Sequence, residues 1–320
     1  MADNKIRIVF MGTPDFAVAS LDAIVQQGYE VCAVLTAPDR PAGRGQKLRT
    51  SAVKDYAVAK QLAVLQPDNL KDEAFIHQLS ELNATLFVVV AFRMLPEAIW
   101  GMPPLGTFNL HASLLPQYRG AAPINRTIMN GEEKGGVTTF FLRHAIDTGN
   151  IIFREETTIE LNETAGEYHD RLKDIGSRLV VKTIQSIKAG NVITHDQDEY
   201  LSEGEVLKTA PKIKKEDGRI NWSLEAELVY NLIKGLSPYP GAFTELKTKA
   251  GKDLYLKIFR AGIKYCQCSG EPGTVMTDYK TYLNICCKDA CISILELQQS
   301  GKKRMLVSDF LVGLNTSTLA

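Results

Sequence analysis

The first turn of the chain restricts the fold more than any other stretch. Residues 6–11 are a compact apolar run, the mark of a buried strand. Gly12-Thr13-Pro14-Asp15-Phe16 follows, with Thr13 expected as the N-cap and Pro14 at the first helical position. The helix should run to about Gln27 and stop at Gly28, a C-terminal glycine, before a second strand over 30–36. Strand, helix and strand at this spacing make a βαβ unit, which requires a parallel sheet. The first turn holds one glycine rather than Gly-x-Gly-x-x-Gly, which argues against a nicotinamide enzyme.

The pattern continues in kind. Helical spacing recurs over 53–61 and 71–82, and residues 86–91 (Leu-Phe-Val-Val-Val-Ala) are apolar on both faces, as a central strand must be. Pro96 opens a short helix reaching Trp100, and Pro123 opens another after the small-residue turn at 118–123. Strands are expected at 108–111, 136–142 and 151–159, then a long helix over 164–188. Residues 189–211 are polar, acidic and poorly periodic, and read as a connection. Beyond them come a helix at 224–236 and short strands at 242–246, 253–261, 273–277, 282–286 and 291–297. That spacing suggests a small β-barrel, plausibly of the oligonucleotide-binding type. The expected fold class is therefore α/β: a Rossmann-like, mostly parallel sheet domain over 1–189, a linker over 190–211, and a C-terminal OB-like β-barrel domain over 212–320. A chain of 320 residues is long enough for both.

Chemistry concentrates in Phe108-Asn109-Leu110-His111. Side chains alternate along a strand, so Asn109 and His111 share one face and stand at its carboxyl end. Open α/β sheets bind ligands there. An amide can donate to an oxygen that becomes negative, and an imidazole titrates near neutral pH. Asp147, in Ile146-Asp147-Thr148-Gly149, offers the carboxylate that could fix the tautomer and stabilise the imidazolium. No Gly-x-Ser-x-Gly or comparable nucleophile accompanies them. The set suits direct transfer of an acyl or one-carbon group to an amine. Taken alone, the pair reads more readily as a capping Asn and a structural His. His77, His144, His169 and His195 read as surface, loop, packing or linker residues.

Residues 37–51 carry four cations, two prolines and two glycines in an unusually long connection, and that basic content favours phosphates. Net charge is zero, yet from Glu205 onward 17 Lys/Arg face 12 Asp/Glu. Lys212, Lys214, Lys215 and Arg219 cluster at one end of that part and Lys302-Lys303-Arg304 near the other. With the loop carrying Arg44 they make a phosphate track plausible, without the surplus of a typical DNA binder. The spacings Cys266-x-Cys268 and Cys286-Cys287-x-x-x-Cys291 lack the zinc pattern, so the cysteines read as small core residues and no metal is expected. Six cysteines make no disulfide framework, the first residues lack a secretory h-region, and no apolar run approaches a membrane span. A cytoplasmic setting is expected.

With these motifs assembled, the chain resembles the folate-dependent formyltransferases, and among them the methionyl-tRNA formyltransferases, over essentially its whole length. The resemblance rests on residues 10–16, 39–45, 109–116, 118–124 and 147–149, with Ile220-Asn221-Trp222 and Pro238-Tyr239-Pro240-Gly241-Ala242 in the second half. It implies 10-formyltetrahydrofolate as donor and the α-amine of initiator methionyl-tRNA as acceptor. It implies that Asn109 stabilises the formyl oxygen, that His111 takes the amine proton, and that Asp147 orients the imidazole and helps protonate the departing folate nitrogen. Ser113, Leu114, Leu115 and Pro116 would lie against the folate, and the backbone of 92–95 against its pterin. Arg44 would approach the acceptor end of the tRNA, and Lys212 and Lys215 its backbone. A monomer is expected, with no membrane or DNA partner. The competing acceptors are glycinamide ribonucleotide or a sugar nucleotide, and the non-enzymatic alternative is an RNA-binding protein.

Overall fold

The structure is a computed structural model that describes residues 5–42, 47–248, 253–265 and 270–314. In chain order the elements begin β1 (Arg7–Gly12), α1 (Asp15–Gln26), β2 (Glu30–Leu35), β3 (Arg40–Ala42), β4 (Lys47–Arg49), α2 (Ala52–Ala59) and β5 (Val64–Leu65). They continue with α3 (Glu73–Glu81), β6 (Leu86–Val90), α4 (Glu97–Trp100), β7 (Thr107–His111), β8 (Arg119–Gly120), α5 (Pro123–Met129), β9 (Lys134–Phe141) and β10 (Ile151–Thr158). Then come α6 (Ala165–Ala189), β11 (Thr209–Ala210), α7 (Ala226–Leu236), β12 (Ala242–Lys247) and β13 (Asp253–Lys264). The last are β14 (Val275–Thr277), β15 (Leu283–Cys286), β16 (Cys291–Gln299), β17 (Met305–Leu306) and α8 (Val307–Val312). The chain divides into two compact units. One holds the residues up to Gly120 with 135–157 and 169–209, and the other holds 121–134, 158–168 and the residues from Ala210 on.

The first unit is built on a seven-stranded sheet in the order β10-β9-β7-β6-β1-β2-β5. β5, β2, β1, β6 and β7 run parallel, and β9 is antiparallel to β7. The sheet is thus mostly parallel and Rossmann-like. β6 is its middle strand, and all five of its residues are buried, each contributing roughly 1.5–3 kcal/mol relative to exposure. Alternation sorts the side chains. Val9, Met11, Phe87 and Val89 pack with residues of α3 and α4 on one face. Leu110 points to the other, where Gly176 of α6 lets the helix come close: a Cβ there would lie 2.7 Å from the leucine tip.

Two local expectations are corrected, and two short elements are added. The N-cap of α1 is Pro14 rather than Thr13, and no side chain caps the helix. Residues 37–51 are not wholly loop, because β3 and β4 pair antiparallel, with Arg40 opposite Arg49. Pro41 fits such an isolated ladder, where a missing N–H costs little. Residues 305–312 form β17 and α8, too short for periodicity to announce.

The second unit carries a six-stranded antiparallel sheet in the order β12-β13-β16-β15-β14, with β17 on β16. α7 lays Val229, Tyr230, Ile233 and Leu236 into its core beside Leu256, Ile258, Ile292 and Leu297. That spacing is one apolar helix face. Gly235 admits α5, since a side chain there would overlap Met129. Cys286 and Cys287 are buried free thiols, and burial pushes Cys287 up to about 12, so it is a neutral core residue. Cys291, also buried, is disulfide-bonded. Cys266 and Cys268 lie outside the described residues.

Candidate active site

β7 ends at His111, beside the carboxyl end of β6 and opposite Thr138 of β9. Asn109 and His111 share the face that alternation requires, and Asn109 stands level with Val89 of β6. His111 is buried, 6 % exposed. Its Nε2 lies 2.9 Å from the carbonyl oxygen of Tyr118. A carbonyl only accepts, so Nε2 carries the proton and Nδ1 is the basic nitrogen of the neutral ring. Nδ1 lies 3.8 Å from Asp147 Oδ2. The Tyr118 carbonyl, not the carboxylate, therefore sets the tautomer.

Two backbone features hold this pair. Tyr118 and Asp147 both adopt left-handed backbone, with φ of 62° and 53°. Asp tolerates that region better than most residues, but such positions still cost on the order of 1–3 kcal/mol and persist only where neighbours fix them. Tyr118 N–H donates to the Lys208 carbonyl at 2.7 Å. Gly120 N–H donates to Asp147 Oδ2 at 3.1 Å. Gly149 has no room for a side chain, because a Cβ would overlap the carbonyl of Phe141.

Asn109 is half-buried, and its Oδ1 is buried without a hydrogen-bond partner. Such an atom is costly unless a bound molecule supplies a donor. An amide here offers an acceptor and two donors side by side, which suits an amine attacking a carbonyl.

The four residues 113–116 behave differently from one another. Ser113 is buried, and its hydroxyl donates to the Gln117 carbonyl at 2.7 Å. Leu115 is wholly buried against Phe140 and Ile151, which makes it a core residue. Pro116 is buried and Leu114 half-buried. In the stretch after β6, Arg93 donates to the carbonyls of Pro67 and Asp68. Lys212 and Lys215 are exposed in the second unit, and Arg44 lies outside the described residues. His144 is a surface residue tied to Glu97 at 3.2 Å.

The sequence places Tyr118, Gly120 and Arg119 only in the motif over 118–124 and does not mark Gln197. The first two act through backbone atoms, which no residue pattern marks. Gln197 is 2 % exposed in a stretch read as linker. The same stretch helps line a cleft of about 530 Å³, where His195 and Tyr200 stand with Leu114 and Arg154. Among the described residues, no three His, Cys, Asp or Glu side chains cluster to hold a metal ion. None of their helices is long and apolar enough to cross a membrane.

An amide and an imidazole at the carboxyl end of a parallel sheet, with a carboxylate from the next connection and no side-chain nucleophile, define a group-transfer enzyme. Residues 5–184 match the formyl transferase model and 212–315 that of the formyl transferase C-terminal domain, so the chain belongs to the formyl transferase family. Methionyl-tRNA formyltransferase of Flavobacterium johnsoniae is 51% identical over 314 residues, covering 98% of each chain, and this places the chain among the methionyl-tRNA formyltransferases. The fold recurs in an N-formyltransferase from Helicobacter canadensis, solved with folinic acid and dTDP-3-aminofucose. It has a TM-score of 0.67 and 22% identity, over 92% of this chain and 99% of that one. HypX from Aquifex aeolicus has a TM-score of 0.64 and 16% identity over 96% of this chain, which spans 48% of that longer protein.

Proposed function

We propose that the protein transfers the formyl group of 10-formyltetrahydrofolate to the α-amine of methionine on initiator tRNA, supplying translation initiation. The observation that carries the chemistry is His111, with Nε2–H committed to a carbonyl and its basic Nδ1 3.8 Å from Asp147 Oδ2. The neutral amine attacks the formyl carbon, forming a C–N bond and a tetrahedral intermediate. Asn109 Nδ2 donates to the formyl oxygen as it becomes negative, while the unpartnered Oδ1 accepts from the amine. His111 Nδ1 takes the amine proton, and the imidazolium is stabilised by Asp147. The bond from the formyl carbon to the folate nitrogen then breaks, and that nitrogen receives a proton from the same pair. Leu114 and Pro116 support the folate, with Ser113 and Leu115 holding their segment in place.

We place catalysis in residues 1–189, joined through 190–211 to a tRNA-binding domain over 212–320, whose antiparallel sheet we read as an OB-like barrel. The enzyme works as a cytoplasmic monomer and uses no metal. Lys212 and Lys215, both exposed, contact the phosphate backbone, and Arg44 approaches the acceptor end. The test of this half is binding of Met-tRNA across a salt series. The doubly substituted Lys212→Ala, Lys215→Ala protein should bind about 3–10-fold more weakly, with a log–log salt slope lower by about 2. An unchanged slope would remove both lysines from the interface. Arg44→Ala should lower kcat/KM for Met-tRNA and leave the folate KM unchanged.

A further inference from the structure

We propose that Gln197 is the positioning residue for Asp147, so that the stretch between the two family matches is part of the catalytic apparatus. This rests on Asp147 serving the reaction as described above. Gln197 lies outside both matched segments, 5–184 and 212–315. Its side chain nevertheless uses both ends of its amide inside the site. Nε2 donates to the carbonyls of Asp147 and Gly149, each at 2.8 Å. Oε1 accepts from Arg119 Nε at 3.0 Å and Nη2 at 2.6 Å. A buried glutamine with two donors and an acceptor all engaged has a fixed orientation.

The placement of those bonds matters more than their number. The carbonyls it holds belong to Asp147 and to the residue two beyond, so they pin the left-handed backbone that aims the carboxylate. Arg119 sits between Tyr118, whose carbonyl accepts from His111 Nε2, and Gly120, whose N–H donates to Asp147 Oδ2. One amide thus ties the loop of the carboxylate to the turn of the imidazole. Gln197 is itself held. His195 and Ile151 exchange backbone bonds at 2.8 and 2.9 Å, and Asp196 and Glu199 form a capping box around its short 3-10 turn. Further along the same stretch, the Lys208 carbonyl accepts from Tyr118 N–H and Lys208 N–H donates to Gln117 Oε1. The stretch grips both partners of His111, and it reaches the Asp147 loop through Gln197.

The test is Gln197→Glu in the full-length enzyme, alone and combined with Asp147→Asn. The glutamate keeps the acceptor for Arg119 and sets a carboxylate oxygen against two carbonyls. We expect kcat for formyl transfer to fall about 10–100-fold, with both KM values within about threefold of wild type. We expect no added loss in the Asp147→Asn background. A folded Q197E enzyme with wild-type kcat overturns the proposal, as does an undiminished loss on top of D147N. If D147N alone runs at the wild-type rate, the role given to Asp147 has failed, and with it the reason for positioning it. Gln197→Met, similar in length and without donors, is read by the same criteria should Q197E be unstable. If both variants melt below the assay temperature, the side chain serves the fold rather than the loop, and the proposal falls.

Discussion

His111→Ala should lower kcat for formyl transfer by about 10²–10⁴-fold, the range for losing a positioned general base. Because the Tyr118 carbonyl accepts from Nε2, the neutral ring presents Nδ1 as its lone pair, and that nitrogen lies 3.8 Å from Asp147 Oδ2. Alanine removes the base and leaves a buried carbonyl without its donor, which costs about 1–3 kcal/mol of stability. The fold should survive this, since the β6 and β7 core does not pass through the imidazole. Circular dichroism and thermal melting, read beside single-turnover rates, separate the two effects. A folded H111A enzyme with near-wild-type kcat would remove the imidazole from the proton path.

Asn109→Ala should reduce kcat by about 10²–10³-fold, the loss seen when a donor to a developing oxyanion is removed. Its buried Oδ1 has no hydrogen-bond partner, so the amide is not spending itself on the fold. Truncation should therefore leave the melting temperature close to wild type while the rate collapses. Asn109→Asp, equal in shape but carrying charge where charge must develop, should be slower still. Equal rates for the alanine and aspartate variants would show that the amide does not meet the oxygen.

What could be read from the residues follows the range of the physics involved. The βαβ start, the buried β6 and the shared face of Asn109 and His111 all rest on periods of two or 3.6, which a sequence displays directly. Asp147 was reachable because a carboxylate between two strands is a residue type with a chemical meaning. The tautomer was not, since it is set by the carbonyl of Tyr118, and any residue there carries one. Gln197 is hidden for a related reason. It sits in a polar, aperiodic stretch, and its importance comes from two backbone oxygens brought to it by the sheet. Leu115 is the converse case. Its neighbours suggest a ligand contact, and packing against Phe140 and Ile151 makes it core. The second sheet was legible as a series of strands, but pairing β13 with β16 is a long-range choice that turn signals do not encode.

The most direct measurement is the rate of formyl transfer from 10-formyltetrahydrofolate to three acceptors in parallel: initiator Met-tRNA, glycinamide ribonucleotide and a dTDP-linked amino sugar. Formylmethionyl-tRNA as the product, with kcat/KM for Met-tRNA at least about 10³-fold above either small amine, is the predicted result. Faster transfer to either small amine, or none to Met-tRNA by the folded enzyme, would contradict it.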